Sequence, residues 1–228
     1  MPDLPVRRFP VRRDLDAALA QRLGGALAAD CSGAVMLAGG HTPGPAYEML
    51  AAHPPRPAPG LHLLYSDDRY VPSSSDASNY HLSQALVNAL ALPAAQVLRV
   101  PTELPLEAAA QAYEERLQAL LAQKIPVRLG LLGLGADGHT ASLFKGADLA
   151  AARGRLAIAV QRPDARTGIS VTPNFLARVE AILFVVAGAD KTAALKRLAA
   201  RDSTLTAWRA VVKCRKVEIW ADAEAWPA

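Results

Sequence analysis

Cysteine is nearly absent: Cys31 and Cys214 are the only two in 228 residues. Far apart and without CxxC spacing, they encode neither a disulfide-stapled scaffold nor a zinc ribbon, and both are expected to be reduced. Large rings are also scarce. Aromatic residues make up 5% of the chain against 51% for all hydrophobic residues, so the core must be built from Ala, Leu and Val, which suits helices packed on a sheet. No apolar run approaches the roughly 18 residues that a membrane span needs. The opening MPDLPVRRFPVRRDLD carries arginines without the apolar stretch of a secretory signal. The expectation is a cytoplasmic protein with no membrane partner. Nor is one sign of charge in large excess: 25 Lys and Arg against 21 Asp and Glu leave a formal +4. That balance suits an anionic small molecule and lacks the clustered basic stripe of a nucleic-acid binder. It equally describes an ordinary arginine-bearing surface.

Short apolar runs bounded by Gly, Pro or Asp alternate with longer Ala/Leu-rich segments, the order that builds βαβ units and a mainly parallel sheet with helices on both faces. Strands are expected at 34–38, 61–65, 97–100, 128–132, 156–160, 169–172, 181–186 and 217–220, and helices at 14–28, 43–51, 78–90, 106–123 and 191–200. In the fourth helix Leu106, Ala110, Tyr113, Leu117 and Leu120 recur at three- and four-residue steps, which is a core face. The Pro-rich AAHPPRPAPG is read as a surface loop rather than a linker, and the length fits one α/β domain over 1–228.

Four strand ends carry polar chemistry. In VMLAGGHTPGPAYEML a strand breaks into Gly39, Gly40, His41, Thr42 and Pro43 before a helix. Paired glycines admit a ligand close to the backbone, and the first N–H groups of a helix favour an anion, so this is a candidate phosphate cradle. A tight strand-to-helix connection needs the same residues. In LHLLYSDDRYVPSSSDASNY, Asp67, Asp68 and Arg69 follow a strand directly, where ligands bind in open α/β sheets. Arg69 can grip phosphate or carboxylate oxygens while the two acids orient it or meet sugar hydroxyls; a self-satisfied surface pair is the competing reading.

The third segment, RLGLLGLGADGHTASLF, breaks at Gly133, Gly135, Asp137 and Gly138 and exposes His139, with an acid two residues earlier able to fix its tautomer. A general base is thus available near neutral pH. The GxGxxG spacing within it comes late and lacks the acid of a dinucleotide site, so no nicotinamide cofactor is expected. In the fourth, ILFVVAGADKTAAL, Lys191 follows Gly188 at a helix start, and Arg166 of RPDARTGISVT precedes another strand. Each can supply a cation to a phosphate or stand as a solvated surface charge.

In this order and spacing, the four segments resemble the glucosamine-6-phosphate isomerase and 6-phosphogluconolactonase family over nearly the whole chain. The matching residues are Gly39, Gly40, Thr42 and Pro43; Asp67, Asp68 and Arg69 with Val71, Pro72, Ser78 and Asn79; the GADGHTASLF run; and Gly188 to Lys191. The similarity is greatest to the lactonase branch. It implies a Rossmann-like sheet, no metal and no organic cofactor, a small sugar-phosphate lactone as substrate, and hydrolysis of 6-phosphoglucono-δ-lactone with His139 as base. In that scheme Lys191, the 39–42 loop and Arg166 hold the phosphate, and backbone N–H groups of 135–138 or Arg69 meet the oxyanion. A monomer or weak homo-oligomer is expected. Two positions depart from the family pattern: His41 replaces a Ser, and Lys145 replaces a Pro.

The isomerase branch carries a Glu shortly after the signature histidine, whereas Thr140 to Lys145 here contain none. A non-catalytic sugar-phosphate-binding regulator usually adds a helix-turn-helix, for which there is no room before Ala34. No G-x-S-x-G elbow appears, which argues against a serine esterase.

Overall fold

The computed structural model describes residues 3–28 and 33–227; Cys31 lies outside the described residues. The first half of the chain forms β1 (Val6–Phe9), α1 (Arg12–Leu27), β2 (Gly33–Leu37), α2 (Gly44–Ala52), β3 (Leu61–Tyr65), β4 (Asp67–Arg69), α3 (Asn79–Leu90) and β5 (Val97–Leu98). The second half forms α4 (Leu106–Ala122), β6 (Val127–Leu132), α5 (Gly146–Ala151), β7 (Ala157–Gln161), β8 (Thr167–Val171), α6 (Pro173–Leu176), β9 (Ile182–Val186), α7 (Thr192–Ala199), α8 (Thr206–Val211) and β10 (Val217–Asp222).

Seven strands pair in parallel in the order β1-β10-β9-β6-β2-β3-β5. Alternation along each strand splits the core in two. Val35, Leu37, Leu63, Leu131 and Leu183 point to the side covered by Leu19 of α1, Tyr47 of α2 and Leu86 of α3. Met36, Leu64, Leu132 and Phe184 point to the other side, under Tyr113 of α4 and Leu195 of α7. Each fully buried Leu or Phe stabilises the fold by about 1.5–3 kcal/mol, so both helical layers are held firmly onto the sheet. The expected α/β class, a mainly parallel sheet with helices on both faces, is what the chain adopts.

Several elements differ from expectation. β7 and β8 do not join the parallel sheet; they form an antiparallel sheet with β4, in the order β4-β8-β7. The strand expected at 97–100 shortens to Val97–Leu98, and the helix at 191–200 starts with a 3-10 turn over Ala189–Lys191. β1, α5, α6 and α8 were not anticipated. β1 reads VRRF, too polar to signal a strand, and the three helices have only 4–6 residues each. The Pro-rich 54–60 segment is a loop between α2 and β3, as expected.

The four segments singled out above leave the carboxyl ends of β2, β3, β6 and β9. These strands are consecutive in the sheet, in the order β9-β6-β2-β3. From β2 the chain moves outward to β3, whereas from β6 it goes on to β9 on the other side. The direction of winding therefore changes between β6 and β2, the place where open α/β sheets bind ligands.

Candidate active site

The glycine loop is shaped by its neighbours. Gly40 has φ +87, a backbone conformation that only glycine adopts without strain, and a Cβ on Gly39 would collide with the Asn79 carboxamide. Buried Tyr47 of α2 closes the strand end: its hydroxyl donates to Ala38 O at 2.8 Å and accepts from Ala38 N at 3.2 Å. Burial pushes that phenol upward in pKa, so it remains a donor. Arg12, at the start of α1, holds the loop from outside. Its Nη2 donates to Thr42 O at 2.8 Å while Nε donates to Asp16 Oδ1 at 2.7 Å.

The acidic pair after β3 divides its labour. Asp67 is buried at the pocket wall, accepting from Ser66 Oγ at 2.9 Å and from Ser142 Oγ at 2.7 Å. Asp68 faces away from the pocket, which corrects its expected role. Its carboxylate accepts from the N–H groups of Arg69 (2.8 Å), Asn79 (2.6 Å) and Tyr80 (3.2 Å) and from Ser78 Oγ (3.0 Å), anchoring the start of α3. Burial raises its pKa, and the Asn79 and Tyr80 hydrogen bonds oppose that rise. Arg69 lines the pocket with Nη1 fixed on Ala77 O at 2.9 Å and Asn79 Oδ1 at 2.7 Å. Ser78 caps α3 by accepting from His81 N.

The signature segment after β6 folds into a closed turn. Gly135 N donates to His139 O at 2.9 Å and Gly138 N donates to Gly135 O at 2.9 Å, with Gly138 at φ +86 against Leu205. The His139 ring is half-buried, and its Nδ1 lies 2.5 Å from Asp137 Oδ1. With Nδ1–H donating to the carboxylate, the neutral imidazole presents Nε2 as its basic lone pair. A Cβ on Gly135 would collide with both partners of that pair, so glycine is required there. Partial burial raises the Asp137 pKa, but the hydrogen bond and charge of His139 outweigh it, and the net direction is down. Thr140 Oγ1 ties the turn to Gly133 O at 2.8 Å. Because Gly135 N and Gly138 N are spent inside the turn, the backbone donors expected there for an oxyanion are reduced. Arg69 becomes the stronger candidate.

Lys191 lies on the 3-10 turn after Gly188, whose N–H is 3.2 Å from both carboxylate oxygens of buried Asp222. Its Nζ sits 3.0 Å from Asp190. Arg166 does not reach the pocket: it is exposed and folds back on Asp164 of its own turn, at 3.0 Å. Arg162 takes the place expected for it. Ile158, Val160 and Arg162 fall at every second residue, so Arg162 continues the buried face of β7, and its Nη1 donates to Ser142 Oγ at 3.0 Å.

One pocket of about 410 Å³ gathers these groups. Gly39, Gly40, His41, Thr42, Asp67, Arg69, His139 and Lys191 line it, as do Asn79, read from the sequence only as part of the family pattern, and Arg12 and Arg162, which the sequence reading missed. Asp137 stands behind His139 rather than in the lining. Four Arg and Lys side chains face two carboxylates, Asp67 and Asp190, so the pocket carries net positive charge suited to an anion. Among the described residues no group of three or more His, Cys, Asp or Glu is arranged to hold a metal ion, and no helix is long and apolar enough to cross a membrane.

Residues 10–220 match the family model described as glucosamine-6-phosphate isomerases/6-phosphogluconolactonase. A 6-phosphogluconolactonase from a Nostoc species is 34% identical over 202 residues, covering 86% of this chain and 82% of the relative. The human 6-phosphogluconolactonase is 34% identical over 205 residues, covering 83% and 79%. Among solved structures, a 6-phosphogluconolactonase from Thermotoga maritima superposes with a TM-score of 0.78 at 26% identity, covering 96% of this chain and 100% of that one.

Proposed function

Since the chain belongs to the glucosamine-6-phosphate isomerase/6-phosphogluconolactonase family, we propose that its pocket hydrolyses 6-phosphoglucono-δ-lactone to 6-phosphogluconate with His139 as general base. The observation that carries the proposal is the meeting of the Asp137-paired imidazole of His139 with the glycine loop, Arg162 and Lys191 in one cationic pocket.

The chemistry follows from that arrangement. His139 Nε2 removes a proton from water as the water oxygen bonds to the lactone carbonyl carbon, and the carbonyl electrons move onto oxygen. The Arg69 guanidinium stabilises that oxyanion. When the tetrahedral species collapses, the bond from carbon to the ring oxygen breaks, and the imidazolium returns its proton to the departing alkoxide. The products are an open-chain hydroxyl and a carboxylic acid that ionises in water. Asp137 holds the imidazole in the tautomer that this cycle needs. Arg162, Lys191 and the 39–42 loop bind the phosphate and use that remote binding energy to align the carbonyl with His139. His41 lies at the exposed mouth of the pocket, on the phosphate side.

Freshly generated phosphorylated lactone, assayed beside its unphosphorylated counterpart, tests the reading. Rapid acid release that is strongly selective for the phosphorylated form is expected; equal rates on both, or no release above the spontaneous rate, refutes it. Ammonia release from glucosamine 6-phosphate, the reaction of the isomerase branch, is expected to be absent because no Glu follows His139 within the signature.

A further inference from the structure

Phe144 takes no part in the steps above, yet its ring touches both halves of the site. The ring centroid lies 4.3 Å from that of His139, tilted by 41°, and the Arg162 guanidinium carbon lies 5.1 Å from the same ring. Arg162 is largely withdrawn from water, with 13% of its side chain exposed. Its Nε is buried without a hydrogen-bond partner, and the 3.5 Å approach to Asp164 is too long to supply one. What replaces water around this guanidinium is the Asp164 carboxylate at ion-pair distance, the Ser142 hydroxyl, itself oriented by Asp67, and the face of Phe144. Gly168 of β8 borders this group: a Cβ there would crowd Asp68 O at 3.1 Å and Ser142 Oγ at 3.3 Å, and would meet Arg162 Cδ at an ordinary contact distance of 3.5 Å.

The ring stands on a fixed backbone. Phe144 N donates to Asp148 Oδ2 at 2.8 Å, and Phe144 O accepts from Thr206 Oγ1 at 3.3 Å. We propose that Phe144 is a positioning residue whose ring seats the anion-holding Arg162 and packs the His139 imidazole, fixing the distance between phosphate and base. The SLF end of the signature would then do more than close a turn. Ser142 and Phe144, two residues apart, grip one cation, while Phe144 also braces the base that the same segment presents. Cation and ring attract through the ring quadrupole, most strongly where water is excluded. Acyl hydrolysis, in turn, is sensitive to misplacement of about 1 Å between base and carbonyl.

The inference rests on the lactonase reading for its kinetic arm, so the test includes arms that need no turnover. Wild type, Phe144→Leu, Phe144→Tyr and Arg162→Gln are compared by inorganic phosphate binding in calorimetry, by the His139 imidazole proton shifts in NMR, and by kcat and KM on both lactones. Phe144→Leu is expected to weaken phosphate binding about tenfold, as loss of a desolvated cation–π contact implies. It is also expected to remove the ring-current shift on His139 and to lower kcat on the phosphorylated lactone about tenfold. Phe144→Tyr, which keeps the ring, recovers most of all three. In the Arg162→Gln background, Phe144→Leu no longer changes phosphate affinity but still moves the His139 signal. Unchanged phosphate affinity and unchanged His139 shifts in Phe144→Leu overturn the proposal. So does a loss that is equal on both lactones and tracks only a lowered melting temperature. If wild type lacks lactonase activity, the functional reading fails while the calorimetric and NMR arms still decide the role of Phe144.

Discussion

The parallel sheet delivers its functional groups from loops at strand ends, whereas the antiparallel sheet delivers Asp67 and Arg69 on β4 and Arg162 by the register of β7. The loops announce themselves through composition: Gly-Gly, Gly-x-Gly and Gly-x-x-Lys mark the places where β2, β6 and β9 stop. The β7–β8 pair of the antiparallel sheet gives no such signal. Arg162 and Arg166 sit in one RPDAR turn, closed by Arg162 N donating to Arg166 O at 2.8 Å. Composition cannot rank two arginines four residues apart; alternation with Ile158 and Val160 selects the first, and proximity to Asp164 captures the second.

Disabling the parallel half has the largest expected effect. His139→Ala should lower kcat on the phosphorylated lactone by about 10²- to 10⁴-fold, the usual worth of a general base, with KM changed by no more than about threefold. A kcat close to wild type in stopped-flow or pH-stat assays would remove His139 from its assigned role. Disabling the antiparallel half should read out differently. Arg162→Gln is expected to raise KM for the phosphorylated lactone by roughly 10- to 100-fold, the range for losing a charge-assisted hydrogen bond to an anion, and to leave the unphosphorylated lactone nearly unaffected. Arg166→Gln, at the exposed end of the same turn, should stay within about twofold on both substrates; the reverse ranking would restore the sequence-based choice.

The two sheets meet at Asp68, which pairs with Ile169 across the antiparallel ladder while anchoring α3 of the main fold. All four of its hydrogen bonds are accepted, so Asp68→Asn turns an amide N–H₂ toward donors and leaves at least one buried N–H unsatisfied. The expected cost is about 1–3 kcal/mol in denaturant unfolding. A variant as stable as wild type would show that the junction is looser than these hydrogen bonds imply.

How much was legible follows from the same contrast. Most of the strand and helix order, both helical layers and the four site loops were readable, because buried parallel strands are continuous apolar runs ended by glycine or acid. β4 was not readable as a strand: its three residues are all charged and were taken only as a site loop. Asp68 was misplaced for the same reason, since composition cannot tell which of two adjacent acids faces inward. Arg12 escaped notice because it reaches the 39–42 loop from across the fold, a contact between α1 and the end of β2 that no local spacing encodes.

The smallest expected effect returns to the parallel half and concerns the charge behind the base. Asp137 is held below its ordinary pKa in the folded protein, net of partial burial, by the hydrogen bond and charge of His139. A carboxylate with a depressed folded pKa binds its proton less tightly than in the unfolded chain, so stability rises with pH across the interval between the two values. The contribution is fully present above the ordinary aspartate range and is lost as pH falls through the depressed value. Asp137→Asn isolates this term, because its amide oxygen can still accept from Nδ1–H while the charge is gone. With 55% of the Asp137 side chain exposed, solvent screening keeps the difference to about 0.2–1 kcal/mol near pH 7. Thermal melts of both proteins from neutral to strongly acid pH should therefore converge as the solution is acidified. A gap that persists below the ordinary aspartate range would mean that His139 does not hold this carboxylate ionised, and the pairing assigned to the base would lose its support.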